Sequence, residues 1–426
     1  MKKIFVFILL VSCNLAYAQF GGLANKLKQK AKEAVERQTD KTMDKIVGKG
    51  ENKVDEKVDE TLEGGKKKSK TKTELESGND GAKESAKLPK AIFSVSSTFD
   101  FIPGEKIVAT EDFAQDAKGD FPAKWNTNAS GEVVTLGPTG SQKWLKLEKT
   151  GIHYPEFVGD LPENFTLEFD MYSNELSEMK SGLKVVFPIS TGRNLKYDQH
   201  FSSEVQVGTD IHPINEQGTS WIGVIDQSGE QILSNELAIN WKENAVNRIS
   251  IWRQKSRFRM YINEVKVWDI PRAFVPNVKY SLLFATNLWS GNVYLSDLKL
   301  AYGLPDTRSK LITEGKFSTN GILFDVNADE IKASSAGILK EIAAVLNENP
   351  TVKVKIIGHT DTDGAAEANL QLSKRRAAAV AALLSKNYGV AADRMQTDGK
   401  GATQPVDNNQ TAQGKANNRR VEFVKL

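Results

Sequence analysis

Residues 358–380 read GHTDTDGAAEANLQLSKRRAAAV, and this stretch decides the fold of the C-terminal part of the chain. Before it runs TVKVKIIGH (351–359), an apolar, β-branched segment that reads as a strand. After it, the spacing predicts a helix from about Ala365 to Tyr388. Asp361 therefore stands where a strand ends and a helix is about to begin, with backbone N–H groups nearby. Asp363, just before Gly364, is most simply the helix N-cap.

Two enzymatic or metal-binding readings of the stretch fail on spacing. An EF-hand loop counted from Asp361 needs glycine at position six and glutamate at twelve, but Gly364 falls at four and Leu372 at twelve. A Ser373–His359–Asp361 triad lacks the glycine-flanked turn that presents a nucleophile. Geometry favours a clamp. Asn369 and Arg376 share one helix face, separated by about 10 Å along the axis. Helical side chains lean toward the N-terminus, so the Arg376 guanidinium reaches back toward Asp361. Such a pair suits a zwitterion, with Asp361 taking an ammonium and Arg376 a carboxylate through its planar fork. Without a ligand the same two residues would make an internal salt bridge.

Working outward, GILFDVNA (321–328) and RRVEFVKL (419–426) read as further strands. EIKASSAGILKEIAAVLNEN (330–349) reads as a helix ended by Pro350, with Ile338, Ile342 and Leu346 on one stripe. Strand, helix, strand, helix, strand makes a compact α/β unit over 311–426, with Pro305 marking the linker before it. GILFDV, GHTDTDG, Asn369, LSKRRAAAV and GKGATQPVDNNQTAQGKANNRRVEF occur here in order, and with them the segment resembles the OmpA-like peptidoglycan-binding family. The resemblance implies a ligand, the diaminopimelate of the cell-wall stem peptide, whose amino-acid end would be held by Asp361 and Arg376. It also brings Thr360, Asn369, Leu372 and Arg419 into the pocket. Lys415 replaces an arginine often found there.

From 106 to 303 the texture differs, and all seven tryptophans lie in this region. In FTLEFDM, Phe165, Leu167, Phe169 and Met171 share one face. Ile249 and Ile251, then Phe258, Met260 and Ile262, then Val265 and Val267 repeat the pattern around plausible turns. Many short strands with one apolar face argue an all-β sandwich or jelly roll. Membrane-barrel strands also alternate but run about 9–11 residues; these runs read as shorter, and 196–220 is weakly patterned. RFRMYINEVKV and NVYLSDLKL give the region a diffuse similarity to laminin-G or concanavalin A-like lectin domains, which implies fold more than function.

Glycosidases on such sandwiches place carboxylates at alternate positions of one strand. Glu168 and Asp170 in LEFDMYS fit half of that pattern, but Tyr172 or Ser173 stands where a second catalytic carboxylate is required. The simpler reading is the polar outer face of a half-buried strand. Most tryptophans are expected in the core, and His153, His200 and His212 lack metal-ligand spacing, so no metal and no cofactor is expected.

The N-terminus MKKIFVFILLVSCNLAYA reads as a secretory signal peptide over 1–18, cleaved before Gln19. LVSC also resembles a lipobox that would lipidate Cys13, the only cysteine. Residues 19–90 hold 18 Lys/Arg and 14 Asp/Glu, with no aromatic between Phe20 and Phe93, so they cannot bury a core. This segment reads as charged, intermittently helical or disordered tether and linker. The whole chain has 426 residues and a net charge of +3, which points to no strongly charged partner and no nucleic acid.

These readings predict a multidomain, non-enzymatic envelope protein at the periplasmic face of the bacterial outer membrane. It would bind peptidoglycan through 311–426 and carry a lectin-like sandwich over 106–303 as a second module, with a glycan as its candidate ligand. The rivals are an envelope-anchored glycoside hydrolase and a scaffold that oligomerises through 19–90.

Overall fold

A computed structural model describes residues 99–176, 182–190, 206–214, 217–304 and 306–426, all within one compact unit, Lys87–Leu426. The signal peptide, Cys13, the 19–90 segment and His200 lie outside the described residues.

Phe165, Leu167, Phe169 and Met171 are all fully buried along β6 (Asn164–Asn174). Burying each of these side chains contributes about 1.5–3 kcal/mol, which fixes which face of the strand turns inward. The sheet around β6 runs β13 (Val265–Ile270), β12 (Arg257–Ile262), β11 (Asn247–Gln254), β6, β15 (Asn292–Tyr302), β4 (Lys143–Leu147), β3 (Gly131–Thr135). β1 (Lys106–Glu111) also pairs with β15. A second sheet runs β10 (Gln231–Asn240), β9 (Gln217–Ile225), β8 (Gln206–Ile214), β7 (Gly182–Pro188), β14 (Leu283–Asn287), β5 (Gly151–Pro155), β2 (Trp125–Thr127). Leu183, Val185 and Phe187 on β7 and Val207 and Ile211 on β8 meet the β6 and β11 residues in one apolar core. The region is thus a sandwich of two antiparallel sheets.

Three local expectations change. Several strands reach membrane-strand length, including β6 and β15 with 11 residues each, but both sheets have free ends rather than closing. The weakly patterned 206–220 stretch holds β8 and the start of β9. Its alternation is interrupted by Gly208, Pro213 and Gly218, although the backbone ladder continues through them. Val265 is exposed (55%), because a register shift between Met260 and Tyr261 passes the inner face of β13 to Trp268. A similar shift in β15 lies between Ser296 and Lys299, with Asp297 at φ +44°. Val293 and Leu295 before it and Leu298 and Leu300 after it all face the core, which leaves Lys299 on the outer face.

Five tryptophans are buried, Trp125, Trp144, Trp241, Trp252 and Trp268, whereas Trp289 is 77% exposed. Trp144 and Trp252 lie outside the inter-sheet core. Trp144 clusters with Tyr172 and Tyr294, and Trp252 joins the apolar cluster of the C-terminal unit.

That unit is a mixed sheet in the order β16 (Lys316–Thr319), β19 (Val421–Lys425), β17 (Val354–His359), β18 (Met395–Gly401). The β17–β18 pair is parallel and the others are antiparallel. Helices α1 (Ala336–Glu348), α2 (Ala366–Tyr388) and α3 (Ala412–Asn418) complete it. Ile338, Ile342 and Leu346 are buried as the periodicity requires, and Gly389 in the left-handed region caps α2. GILFDVNA does not form a regular strand. Leu323 takes a hydrogen bond from the Lys332 N–H and gives its own to Ser335 Oγ, so its backbone pairs with the start of α1 rather than with the sheet. For the same reason α1 starts six residues later than its sequence suggests.

The sandwich and this unit are packed together. Phe99 and Phe101 set their rings against Tyr261, and Phe101 also meets Trp252. A Cβ on Gly337 would lie 2.1 Å from the Phe101 carbonyl oxygen, so only glycine admits this crossing. Buried Asn417 accepts from the Ile107 N–H and donates to the Ile107 carbonyl, both at 3.0 Å. Among the described residues no helix is long and apolar enough to cross a membrane.

Candidate functional site

β17 carries the chain to His359, where it leaves the sheet for the loop that precedes α2. Gly358 and Gly399 allow α2 to lie close on the sheet, since a Cβ on either would meet the α2 backbone at 2.2–2.4 Å. Thr360, Asp361, Asn369 and Leu372, four of the six sequence-proposed residues, are gathered and buried around this loop. The Thr360 N–H donates to the Gly401 carbonyl, and Thr360 Oγ1 donates to the Asp361 carbonyl. Asn369 Nδ2 donates to the Asp361 carbonyl at 3.3 Å and to the Asp363 carbonyl at 2.9 Å. With its backbone held at so many points, the Asp361 carboxylate is presented in one orientation.

Asp361 Oδ1 accepts the Asp363 N–H at 2.9 Å, and Oδ2 is paired with Arg419 Nη1 at 2.5 Å. The internal ion pair expected of Asp361 with Arg376 is therefore made by Arg419. Arg376 Nε instead donates to the Ala328 carbonyl (2.9 Å) and Nη2 to the Asp325 carbonyl (3.2 Å), while the guanidinium lies 4.8 Å from the Phe324 ring centroid. It pins the loop after Phe324 and forms one wall of the site. Burial lowers the proton affinity of Arg376, the charge of Arg419 adds to that, and Asp361 opposes both.

Asp363 is not the N-cap. Ala365 occupies that position without a side-chain hydrogen bond, and Asp363 holds Lys415 Nζ at 2.7 Å. Ser373 Oγ donates to the Leu370 carbonyl and accepts the Gly401 N–H, so it ties α2 to β18 and is not aimed at any base. His359 lies buried with Nε2 3.6 Å from Glu422 Oε1. Burial alone would raise the Glu422 carboxyl, but His359, Lys316 and Arg420 hold it well below the usual carboxylate range.

A cleft of about 110 Å³ opens beside these residues. It is lined by Arg376, Arg419, His359 and Phe324, and on its far side by Ile107 and Lys299 from the sandwich. Sequence reasoning did not single out Phe324 or Lys299. The first is visible only as an aromatic within GILFDV, and the last needs the β15 bulge to know which way it faces.

Residues 323–419 match the OmpA family. The C-terminal unit is an OmpA-family domain. The probable lipoprotein YiaD of Escherichia coli is 43% identical over 105 residues, which are 25% of this chain and 48% of that protein. Outer membrane porin F of Pseudomonas aeruginosa is 39% identical over 101 residues, 24% of this chain and 29% of the porin. The chain thus spans about half or less of the length of these relatives. Among solved structures, the peptidoglycan-associated lipoprotein from Burkholderia pseudomallei is 30% identical over 26% of this chain and 89% of that one, with a TM-score of 0.24. The family match leaves the sandwich outside it.

Glu168 and Asp170 project from the outer face of β6, and Arg248 bridges both, at 3.4 and 3.0 Å, together with Asp297 at 2.9 Å. Burial disfavours the Arg248 cation, but Asp297, Glu168 and Asp170 outweigh it and strengthen its hold on the proton. Tyr172, next on that face, packs edge-on against Trp144 and Tyr294. Both carboxylates are thus engaged by one guanidinium, and an aromatic cluster occupies the position of the second catalytic acid. Among the described residues no cluster of His, Cys, Asp or Glu is placed to hold a metal ion.

Proposed function

We propose that the chain is a non-enzymatic cell-envelope protein, on the periplasmic side of the outer membrane, that binds peptidoglycan through its OmpA-family domain. The observation that carries this reading is one buried carboxylate, Asp361, paired with Arg419 and acting electrostatically on Arg376, the two guanidiniums that line the neighbouring cleft. Such a site has a negative and a positive pole and suits the zwitterionic end of diaminopimelate in the stem peptide. Asp361 takes the ammonium, sharing its oxygens with Arg419, and Arg376 takes the carboxylate. Thr360 and Asn369 keep Asp361 in place, and buried Leu372 is the apolar member of the set. The family match supports the reading, as do relatives named as an outer membrane porin and a probable lipoprotein.

The sandwich serves as a second binding module for a glycan in this proposal. Trp289, largely exposed, and Trp221, partly exposed with Lys184 Nζ 4.8 Å from its ring centroid, supply stacking surface. Co-sedimentation of the full chain with purified sacculi tests the main reading. Wild-type protein should pellet with sacculi, and Asp361→Ala protein should stay in the supernatant. Equal pelleting of the two would refute it.

A further inference from the structure

We infer that the sandwich contributes a residue to the peptidoglycan site: Lys299 of β15 takes a second carboxylate of the stem peptide bound at Asp361 and Arg376. The inference rests on the proposed peptidoglycan reading and goes beyond it, because Lys299 lies outside the OmpA-family match.

Four permanent cations line the cleft, Arg376, Arg419, Arg420 and Lys299, and Arg420 is already paired with Glu422 at 2.6 Å. The charges facing them are unevenly distributed. Arg419 is satisfied by Asp361, and Arg376 is held by carbonyls and left to a ligand carboxylate. Lys299 is half-buried and has no ion-pair partner among the described residues. Its cross-strand neighbour Glu168 is engaged by Arg248 instead. A zwitterion placed between Asp361 and Arg376 therefore leaves one cation of the cleft without an anion. A stem peptide carries further carboxylates beyond the zwitterionic end of diaminopimelate, such as the α-carboxylate of a γ-linked glutamate. That chemistry matches the vacant charge, whereas an uncharged glycan does not.

The position of Lys299 is built into the fold. The register shift between Ser296 and Lys299, with Asp297 at positive φ, turns Lys299 to the outer face while Leu298 and Leu300 enter the core. Bulges of this kind re-aim side chains beside functional sites. The distance across the cleft is then set by the paired hydrogen bonds between Asn417 of α3 and Ile107 of β1, a neighbour of β15. Ile107, Ala301 and Ala416 pack together at the same junction.

The test compares full-length wild type, Lys299→Ala, Lys299→Gln and Arg376→Ala by calorimetric titration with two probes. One is free meso-diaminopimelate, and the other is a diaminopimelate-containing muropeptide with a free glutamate α-carboxylate. Both Lys299 variants should bind the muropeptide about tenfold more weakly than wild type and bind diaminopimelate unchanged. Arg376→Ala should lose both probes. Muropeptide binding by the Lys299 variants at wild-type strength, with Arg376→Ala still defective, would overturn the inference and leave the peptidoglycan reading standing. An equal loss of both probes in the Lys299 variants would also overturn it, because Lys299 would then act on the pocket as a whole. Wild-type binding by Arg376→Ala would remove the underlying reading itself.

Discussion

Replacing Arg376 by alanine should weaken binding to sacculi by roughly 30- to 150-fold. Truncating one partner of a buried charge pair costs about 2–5 kcal/mol, and Arg376 is only partly buried, so the lower half of that range applies. At 1.4 kcal/mol per tenfold, about 2–3 kcal/mol gives the stated factor. Arg376 also has work to do without a ligand. Its hydrogen bonds to the Ala328 and Asp325 carbonyls and its contact with Phe324 anchor a loop, so the alanine variant should also lose about 1–3 kcal/mol of stability. The two effects separate in the lysine variant, which retains the cation but loses the fork. Arg376→Lys should melt close to Arg376→Ala and yet bind better than it does. Binding is read as the fraction pelleted over a series of sacculus concentrations, at a temperature where every variant is folded by circular dichroism. If Arg376→Ala pellets within twofold of wild type, Arg376 is a loop anchor only and the two-pole site is wrong.

Arg375→Ala should bind sacculi like wild type, because Arg375 is exposed and its nearest carboxylate, Asp329, is 3.9 Å away. Asn417→Ala strands the Ile107 N–H and carbonyl in a buried junction and should cost about 1–3 kcal/mol per group, read by urea unfolding. Phe101→Ala removes a fully buried ring between sandwich and OmpA-family domain and should cost about 3–5 kcal/mol in the same assay. Two sandwich groups should tilt stability with pH in opposite directions. Burial lowers His153 to about 4, so its contribution is full above its unfolded value of 6.5 and is lost as pH falls from 6.5 toward 4. Burial raises Asp210 to about 6 against the pull of Lys184, so its contribution is full below 3.8 and is lost as pH rises toward 6. Each shift is worth about 3 kcal/mol, so between pH 4.5 and 6 His153→Gln should make stability fall more steeply with rising pH, and Asp210→Asn should make it rise; parallel profiles for the two variants would contradict both assignments.

What could be read from the sequence follows from where one interaction dominates. Phe165, Leu167, Phe169 and Met171 were legible because burial at period two outweighs everything else on β6. Val265 was not, since a one-residue register shift reverses the faces and leaves no mark in the residue types. β8 and β9 were obscured by Gly208, Gly218 and Gly223. At Gly223 the glycine serves a side chain: the Trp221 ring lies over it, where a Cβ would come within 1.9 Å. In the candidate site, spacing gathers Asn369 and Arg376 on one helix face, but the partner of Asp361 comes from the end of α3, 58 residues away in sequence. Helix periodicity cannot rank two arginines that approach from different elements. Likewise Asp363 has the residue type of an N-cap, and the ammonium of Lys415 won it for a tertiary contact instead.

The junction between the sandwich and the OmpA-family domain bears on how such a site would work. An anchoring domain on a free tether needs no contact with its neighbour, yet here Phe101 sits between Trp252 and Tyr261 on one side and the Gly337 turn of α1 on the other. Glu105 and Lys310 add an ion pair at 2.7 Å across the same joint. A ligand that touched only the OmpA-family domain would be indifferent to whether this joint is closed. One that also reached Lys299 would bind the closed arrangement better and so stabilise it, by as much as its affinity for the closed form exceeds that for the open one. The converse follows from the same linkage: loosening the joint would weaken a stem peptide while leaving free diaminopimelate untouched. Attachment to the wall and the orientation of the sandwich would then be one equilibrium, set by a single lysine on a bulged strand.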